Sequence, residues 1–175
     1  MNYAQVLEKI AQLKIGKKTP DAEKFLEKYP FKKVIYIPAE YEYDFLGEIL
    51  ELIFKEQKLS VGCYTPYAIN SPLGYMRYQG KNISQKDFSQ FAGGILDEAE
   101  KNHTEISKTE IYLQIALEYF FDKKVDFFIL PSLHKCSIEG IKELLSETAV
   151  LEREQTAIEA VAAWLKSAET VPAGV

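Results

Sequence analysis

The chain has 175 residues and a mass of 20.0 kDa, which suits one domain with a sizeable core. It carries 26 acidic and 21 basic residues, a net charge of −5. This balance disfavours nucleic-acid binding, which needs a basic face. No apolar run approaches the ~18 residues of a membrane-spanning helix, and the first residues lack a signal peptide's apolar segment. We therefore expect a cytoplasmic protein with neither nucleic acid nor membrane as partner.

The cysteines and histidines do not form a metal-binding pattern. Cys63 and Cys136 are far apart in the chain, and His103 and His134 add no zinc-ligand spacing. An unpaired cysteine usually behaves as a small buried apolar residue. We therefore expect two buried, reduced thiols, and no cofactor.

The first half of the chain alternates helical and strand-like patterns. Apolar spacing predicts a helix at Tyr3–Leu13 and a short helix at Asp21–Lys28. Lys33–Ile37 is β-branched and apolar, which predicts a strand covered on both faces. A helix follows from Asp44, which can cap it. Its wide apolar face is predicted at Phe45, Leu46, Ile49, Leu50, Ile53 and Phe54.

The second half continues this alternation of strands and helices. Ser84 is a predicted N-cap, and Ser107 with Glu110 forms a predicted capping box. The predicted elements are a strand at Ser60–Tyr64, a loop over 65–83 with an extended piece at Tyr75–Tyr78, helices at Ser84–Lys101 and Ile111–Phe121, a strand at Val125–Leu130, and helices at Ser137–Leu145 and Thr156–Ser167.

Strands separated by helices predict parallel pairing with right-handed crossovers. We therefore expect a single domain over residues 1–175 with a three-layer α/β/α architecture and a short, mostly parallel sheet. Three evident strands are few for such a sheet, so an edge is expected to stay open. A protein partner or self-association through that edge is the predicted consequence. Residues 137–175 are predicted to form a helical extension that covers sheet surface.

Several short strings occur in the order and spacing of a known family. They are Asn2-Tyr3, Val61–Thr65 (VGCYT), Arg77 with Gly80 and Ile83-Ser84, Thr109-Glu110, and Val125-Asp126. In this order they resemble the N-terminal ATPase region of the folylpolyglutamate synthase/dihydrofolate synthase family of the Mur ligase superfamily. The resemblance covers about residues 1–130. It implies a truncated P-loop, Mur-ligase-like fold.

The resemblance also locates a phosphate-binding loop whose chemistry has been replaced. The loop needs glycines, so that backbone N–H groups approach the anion, and a lysine that meets its charge. The family's loop, glycine-threonine-asparagine-glycine-lysine-glycine-serine, falls on residues 39–45. Its glycine positions hold Ala39, Glu42 and Asp44, its lysine position Tyr43 and its serine position Phe45. The resemblance therefore implies that the ATP site is degenerate.

Two further family positions differ in the same sense. The serine-proline-histidine that follows the family's Tyr-Thr falls on Pro66, Tyr67 and Ala68. The family's third strand ends in a metal-binding glutamate and a glycine-rich turn, whereas this strand is followed by residues 131–134, PSLH. We therefore expect a non-catalytic, folylpolyglutamate synthase-like pseudoenzyme that acts as a binding or regulatory subunit. A binder of pterin-like or other aromatic small molecules, and an enzyme of new chemistry using the acidic loop 40–44, stay open as alternatives.

A candidate ligand surface follows from the placement of tyrosines. Ligands of open parallel sheets bind beyond the carboxyl ends of the strands, and tyrosine offers flat apolar area with a polar tip. Packing of these side chains in the core or in loops is the competing interpretation. The candidate ligand-binding residues are Tyr41, Tyr43, Tyr64, Thr65, Tyr67, Tyr75, Arg77 and Tyr78.

The charged residues of this region allow two interpretations each. Glu40, Glu42 and Asp44 could hold a cation, because hard cations prefer carboxylate oxygens, or they form a solvated acidic loop with Asp44 as helix cap. Arg77 could hold an anionic ligand or pair with a nearby acid. No residue is assigned a catalytic role.

Overall fold

A computed structural model gives the architecture and describes residues 1–15, 27–29, 31, 33–37, 44–65, 71–131 and 147–150. The predicted helix at Asp21–Lys28 lies mostly outside the described residues, and those at Ser137–Leu145 and Thr156–Ser167 lie wholly outside them. The described helices are α1 (Tyr3–Gln12), α2 (Asp44–Glu56), α3 (Gln85–Lys101) and α4 (Lys108–Asp122), with a 3₁₀ turn at Pro72–Tyr75. The described strands are β1 (Lys33–Ile37), β2 (Val61–Tyr64), β3 (Met76–Tyr78), β4 (Lys81–Asn82), β5 (Phe127–Pro131) and β6 (Glu147–Val150).

The described strands form one mixed sheet in the order β4-β3-β2-β5-β1-β6. Strands β2, β5, β1 and β6 are parallel to one another, and the β3–β4 hairpin adds to β2 in antiparallel orientation. The prediction of a mostly parallel α/β sheet is confirmed. Within the described part of the chain the sheet has six strands, three more than are evident from the sequence, because the β3–β4 hairpin and β6 join it. Strand β3 falls within the extended piece predicted at Tyr75–Tyr78.

Both faces of the sheet are covered, which accounts for the near-continuous apolar strands. Val34 and Phe128 face the larger core, together with residues of α1, α3 and α4. Ile35 and Ile129 face the opposite side and pack with residues of α2. The layers are therefore helix, sheet and helix, as predicted.

Capping side chains fix where three of the helices begin. Asn2 and Ser107 each form a complete capping box, and Ser84 accepts a hydrogen bond from the backbone N–H of Asp87. The caps predicted at Ser84 and Ser107 are confirmed. Helix α2 begins at Asp44 as expected, whereas the side chain of Asp44 lies outside the described residues.

The buried face of α2 differs from the predicted apolar face. Leu50 and Phe54 are buried, but Ile49 is 36% exposed. Glu51 is buried in its place, with 3% of its surface exposed. Helical periodicity brings residues 47, 50, 51 and 54 to one side, so a carboxylate lies on the face that contacts the sheet.

Gly62 of β2 is required by the close approach of α4. A Cβ at Gly62 would lie 2.6 Å from two ring carbons of Phe120, whose ring is fully buried. We expect Gly62→Ala to lower the free energy of unfolding by about 1–3 kcal/mol, because the packed ring has to shift. Urea unfolding monitored by circular dichroism measures this change.

Gly94 in the middle of α3 provides the matched control. A Cβ there would contact no atom within 4 Å. We expect Gly94→Ala to raise the free energy of unfolding by up to about 1 kcal/mol, because alanine favours the helix. Equal effects of the two substitutions would contradict the close packing at Gly62.

Candidate functional site

Helix α2 follows the candidate loop and lies against β2 and β5. A Cβ at Gly47 would lie 3.3 Å from Cys63 Sγ and 3.8 Å from Ile129. Phe54 stacks on Phe127 with ring centroids 4.5 Å apart. The structure describes the strand before residues 38–43, which is β1, and the helix after them, which is α2. Residues 38–43 themselves lie outside the described part of the chain.

Arg77 of β3 is held by two carboxylates of α2. Its Nε donates to Glu51 Oε2 at 2.9 Å, and its Nη1 donates to Glu48 Oε1 at 2.8 Å. The other carboxylate oxygen of Glu51 accepts the backbone N–H of Gly80 at 2.8 Å. Arg77 could hold an anionic ligand or pair with a nearby acid, and in the structure it pairs with acids. This network joins the β3–β4 hairpin to α2.

Cys63 lies beneath the same network and is buried. Arg77 Nη2 donates to Cys63 Sγ at 3.8 Å. Burial raises the pKa of Cys63 to about 12, although the guanidinium of Arg77 acts in the opposite direction. The thiol is therefore protonated at neutral pH and is a packing group rather than a nucleophile. Cys136 lies outside the described residues.

The candidate tyrosines in the described region pack on the opposite side of the sheet from Arg77. Tyr64 is fully buried in the larger core. Tyr75 and Tyr78 are half-buried and pack against that core. Edge-to-face ring contacts join Tyr75 to Tyr112 at 5.1 Å and Tyr78 to Tyr119 at 6.4 Å. These three tyrosines therefore pack in or against the core, which is the competing interpretation of their role.

Thr65 is buried where β2 ends, and its backbone N–H donates to the carbonyl of Tyr75 at 2.8 Å. The five described candidates are thus divided between the two faces of the sheet and do not form one ligand site. Tyr41, Tyr43 and Tyr67 lie outside the described residues, so their placement stays a prediction.

Sequence reasoning did not identify a group of aromatic hydroxyls beside Tyr75. Tyr3 contacts Phe88 edge-to-face at 5.6 Å, and its hydroxyl lies 3.5 Å from Ser71 Oγ. Burial, with smaller effects from Tyr75 and Tyr3, raises the pKa of Tyr112 to about 12. These tyrosines are far apart in the chain, so no local sequence signal joins them.

A cavity of about 1200 Å³ lies between the C-terminal parts of α1 and α3 and the start of α4. None of the five candidate ligand residues that the structure describes lines it. Its lining mixes apolar side chains with charged ones. It includes Leu13, Ile15, Leu96, Ala99 and Ile106, together with Lys9, Lys14, Glu100, Glu105 and Glu110.

Within the described ranges, no three His, Cys, Asp or Glu residues are grouped as a metal site. Glu40 and Glu42, and the side chain of Asp44, lie outside those ranges, so the cation prediction for them stays untested. None of the helices that the structure describes is long and apolar enough to cross a membrane.

A mostly parallel sheet between two helical layers, with a strand-to-helix unit at β1 and α2, defines a three-layer α/β fold. Solved folylpolyglutamate synthases share this fold. The enzyme of Thermotoga maritima superposes with a TM-score of 0.62 at 22% identity, over 74% of this chain and 32% of its own. The Lactobacillus casei enzyme gives 0.59 at 15% identity, over 75% and 36% respectively.

A bifunctional folylpolyglutamate synthase/dihydrofolate synthase, solved with Mn, AMPPNP and L-glutamate, gives a TM-score of 0.55 at 20% identity over 75% of this chain. The chain spans about a third of the length of these enzymes. No protein-family model and no curated protein matches it. At these identities the likeness concerns the fold, and at that level the resemblance seen in the sequence is confirmed.

Proposed function

We propose that this protein is a non-catalytic binding or regulatory subunit built on the N-terminal scaffold of a folylpolyglutamate synthase, with its nucleotide site lost. One observation carries the proposal. Strand β1 and helix α2 lie in the arrangement that a phosphate-binding loop connects, but the connecting residues 38–43 (PAEYEY) contain no glycine and no lysine. A phosphate cradle depends on both residue types.

The charges of this segment oppose a polyphosphate. Glu40, Glu42 and Asp44 fall at or beside the family's phosphate-binding positions. Two like charges at ~4 Å repel by about 1 kcal/mol even in bulk water, and by more in a cleft. Arg77 is the one arginine of the described residues, and its Nε and Nη1 already pair with Glu51 and Glu48.

Titration of the intact chain with Mg·ATP by calorimetry tests the loss of the nucleotide site. We expect no saturable heat, and no hydrolysis of ATP in a parallel assay. Saturable binding at micromolar nucleotide would overturn the proposal. A Glu42→Lys variant serves as comparison, because it removes one negative charge and adds a positive one without restoring the glycines.

The proposed partner is a protein, reached through a sheet edge. Among the described strands, β6 and β4 are the edges. Strand β4 has only two residues, both exposed, and a short strand with a lysine discourages pairing. Strand β6 is therefore the edge proposed for association. Light scattering after size exclusion tests self-association, and a monomer at all concentrations would leave only a different protein as partner.

A second candidate function is the binding of a small aromatic molecule. The 1200 Å³ cavity favours it, because a concave, partly apolar site is what such ligands use. Ala99 lines this cavity, so Ala99→Trp should fill part of it. We expect a ligand found by thermal-shift screening of pterin-like compounds to lose its stabilising effect in this variant. An unchanged shift in the variant would contradict binding in this cavity.

A further inference from the structure

Three aromatic rings meet where α3, α4 and the β3–β4 hairpin come together. Tyr119 of α4 contacts Phe91 of α3, with ring centroids 6.0 Å apart and an angle of 68° between the ring planes. Tyr78 of β3 contacts the same ring at 6.4 Å and 81°. Two rings therefore stand steeply inclined to the ring of Tyr119, as is common in aromatic packing. We call Tyr78, Phe91 and Tyr119 the aromatic corner.

A positive charge lies on the aromatic corner. The Nζ atom of Lys123 is 5.3 Å from the centroid of the Tyr119 ring, within the ~6 Å of a cation–π contact. Lys123 is half-buried and follows Tyr119 by one helical turn. The ion pairs of the described residues involve other bases, so within that part of the chain the ring is the partner of this ammonium group.

Negative charges act on the same ring. Burial raises the pKa of Tyr119 to about 12, and Asp87, Tyr78 and Asp122 add smaller effects in the same direction. Asp87 lies in the first turn of α3, and Asp122 ends α4. The electrostatic field at the aromatic corner therefore favours a cation, while the direct contact with that cation is made by a ring.

A quaternary ammonium group suits such a site better than the side chain of lysine does. The ammonium group of lysine carries three N–H donors, which lose hydrogen bonds to water when they lie over a ring. A trimethylammonium group has no donor to leave unpaired, and aromatic rings are the groups that recognise it. We propose that the aromatic corner binds a quaternary ammonium ligand of the choline type, which displaces the ammonium group of Lys123. The corner shares no residue with the cavity of about 1200 Å³, so this site is separate from the one considered above.

Calorimetric titration of the full chain with choline tests the proposal. We expect saturable binding to the parent chain and several-fold tighter binding to Lys123→Gln, because glutamine does not compete as a cation for the ring. The neutral isostere of choline, in which a tert-butyl group replaces the trimethylammonium group, should bind many-fold more weakly. Absence of saturable choline binding to both proteins would overturn the proposal. Equal affinities of the parent chain for choline and its isostere would also overturn it, and that comparison needs no variant.

Lys28→Gln is the matched control for the removed charge. Lys28 lies over the ring of Tyr29 at 5.4 Å but also pairs with Glu98. This variant should bind choline as the parent chain does. An equal gain in Lys28→Gln and Lys123→Gln would assign the effect to net charge and overturn the proposal.

Phe91→Leu removes one ring of the aromatic corner and keeps an apolar side chain on α3. Added to Lys123→Gln, it should lower the affinity for choline several-fold, because one aromatic wall of the site is lost. Circular dichroism checks that the double variant folds. Unchanged affinity in the folded double variant would place choline elsewhere and contradict the proposed site.

Discussion

A chain whose residues 39–45 are replaced by the loop glycine-threonine-asparagine-glycine-lysine-glycine-serine is expected to bind Mg·ATP, whereas the parent chain is expected not to bind it. The replacement returns three glycines and a lysine to the turn between β1 and α2, and removes Glu40, Glu42 and Asp44. Backbone N–H groups and the start of α2 would then face the phosphates. Calorimetry measures the gain, and at 100 times the dissociation constant the nucleotide should stabilise the variant by about 2.7 kcal/mol.

The same replacement with alanine in place of the lysine is the matched control. It keeps the glycines and the removal of the three carboxylates but lacks the positive charge of the lysine, so weaker binding would assign the difference to the ammonium group. Neither variant should hydrolyse ATP, because residues 66–68 still lack the family's serine and histidine, and the residues after β5 still lack its metal-binding glutamate. A replacement variant that folds but does not bind nucleotide would contradict the proposal that the scaffold around the nucleotide site is retained. Binding by the parent chain would instead contradict the lost site, so the two failures are distinguishable.

Periodicity predicted the elements that determine the fold. The strand at Lys33–Ile37 and the helix from Asp44 occur where β-branched residues give way to helical spacing. The predicted caps at Ser84 and Ser107 form because their side chains accept nearby backbone N–H groups. Signals of this kind are local, so a single sequence can show them.

Contacts between residues far apart in the chain determine features that the sequence alone does not show. Tyr64 and Cys63 are neighbours on β2 and both are buried, yet they belong to different cores. No pattern in an evenly apolar strand shows which face each residue takes. Strand β6 starts with Glu147 and has only four residues, and it exists as a strand by pairing with β1.

The burial of Glu51 was equally invisible from the sequence, because it depends on Arg77, which is 26 residues away. We expect Glu51→Ala to lower the free energy of unfolding by about 3 kcal/mol, since it leaves a half-buried guanidinium with one fewer partner. It also removes the acceptor of the Gly80 N–H. Urea unfolding measures the global effect, and hydrogen exchange at Gly80 measures the local release of the β3–β4 hairpin.

Glu48→Ala is the control for this network, because Glu48 pairs with the same arginine but its side chain is 53% exposed, against 5% for Glu51. An exposed ion pair contributes at most about 1 kcal/mol, so the two variants should differ clearly. In a background that carries Arg77→Met, Glu51→Ala should cost less than in the parent chain, because the guanidinium that it would leave unpaired is gone. Equal costs for Glu48→Ala and Glu51→Ala would show that the pairing of Arg77 with α2 is a surface contact. If Glu51→Ala costs as much in the Arg77→Met background as in the parent chain, the effect of Glu51 does not depend on Arg77. The hydrogen bond from the Gly80 N–H to Glu51 would then be the only source of that effect.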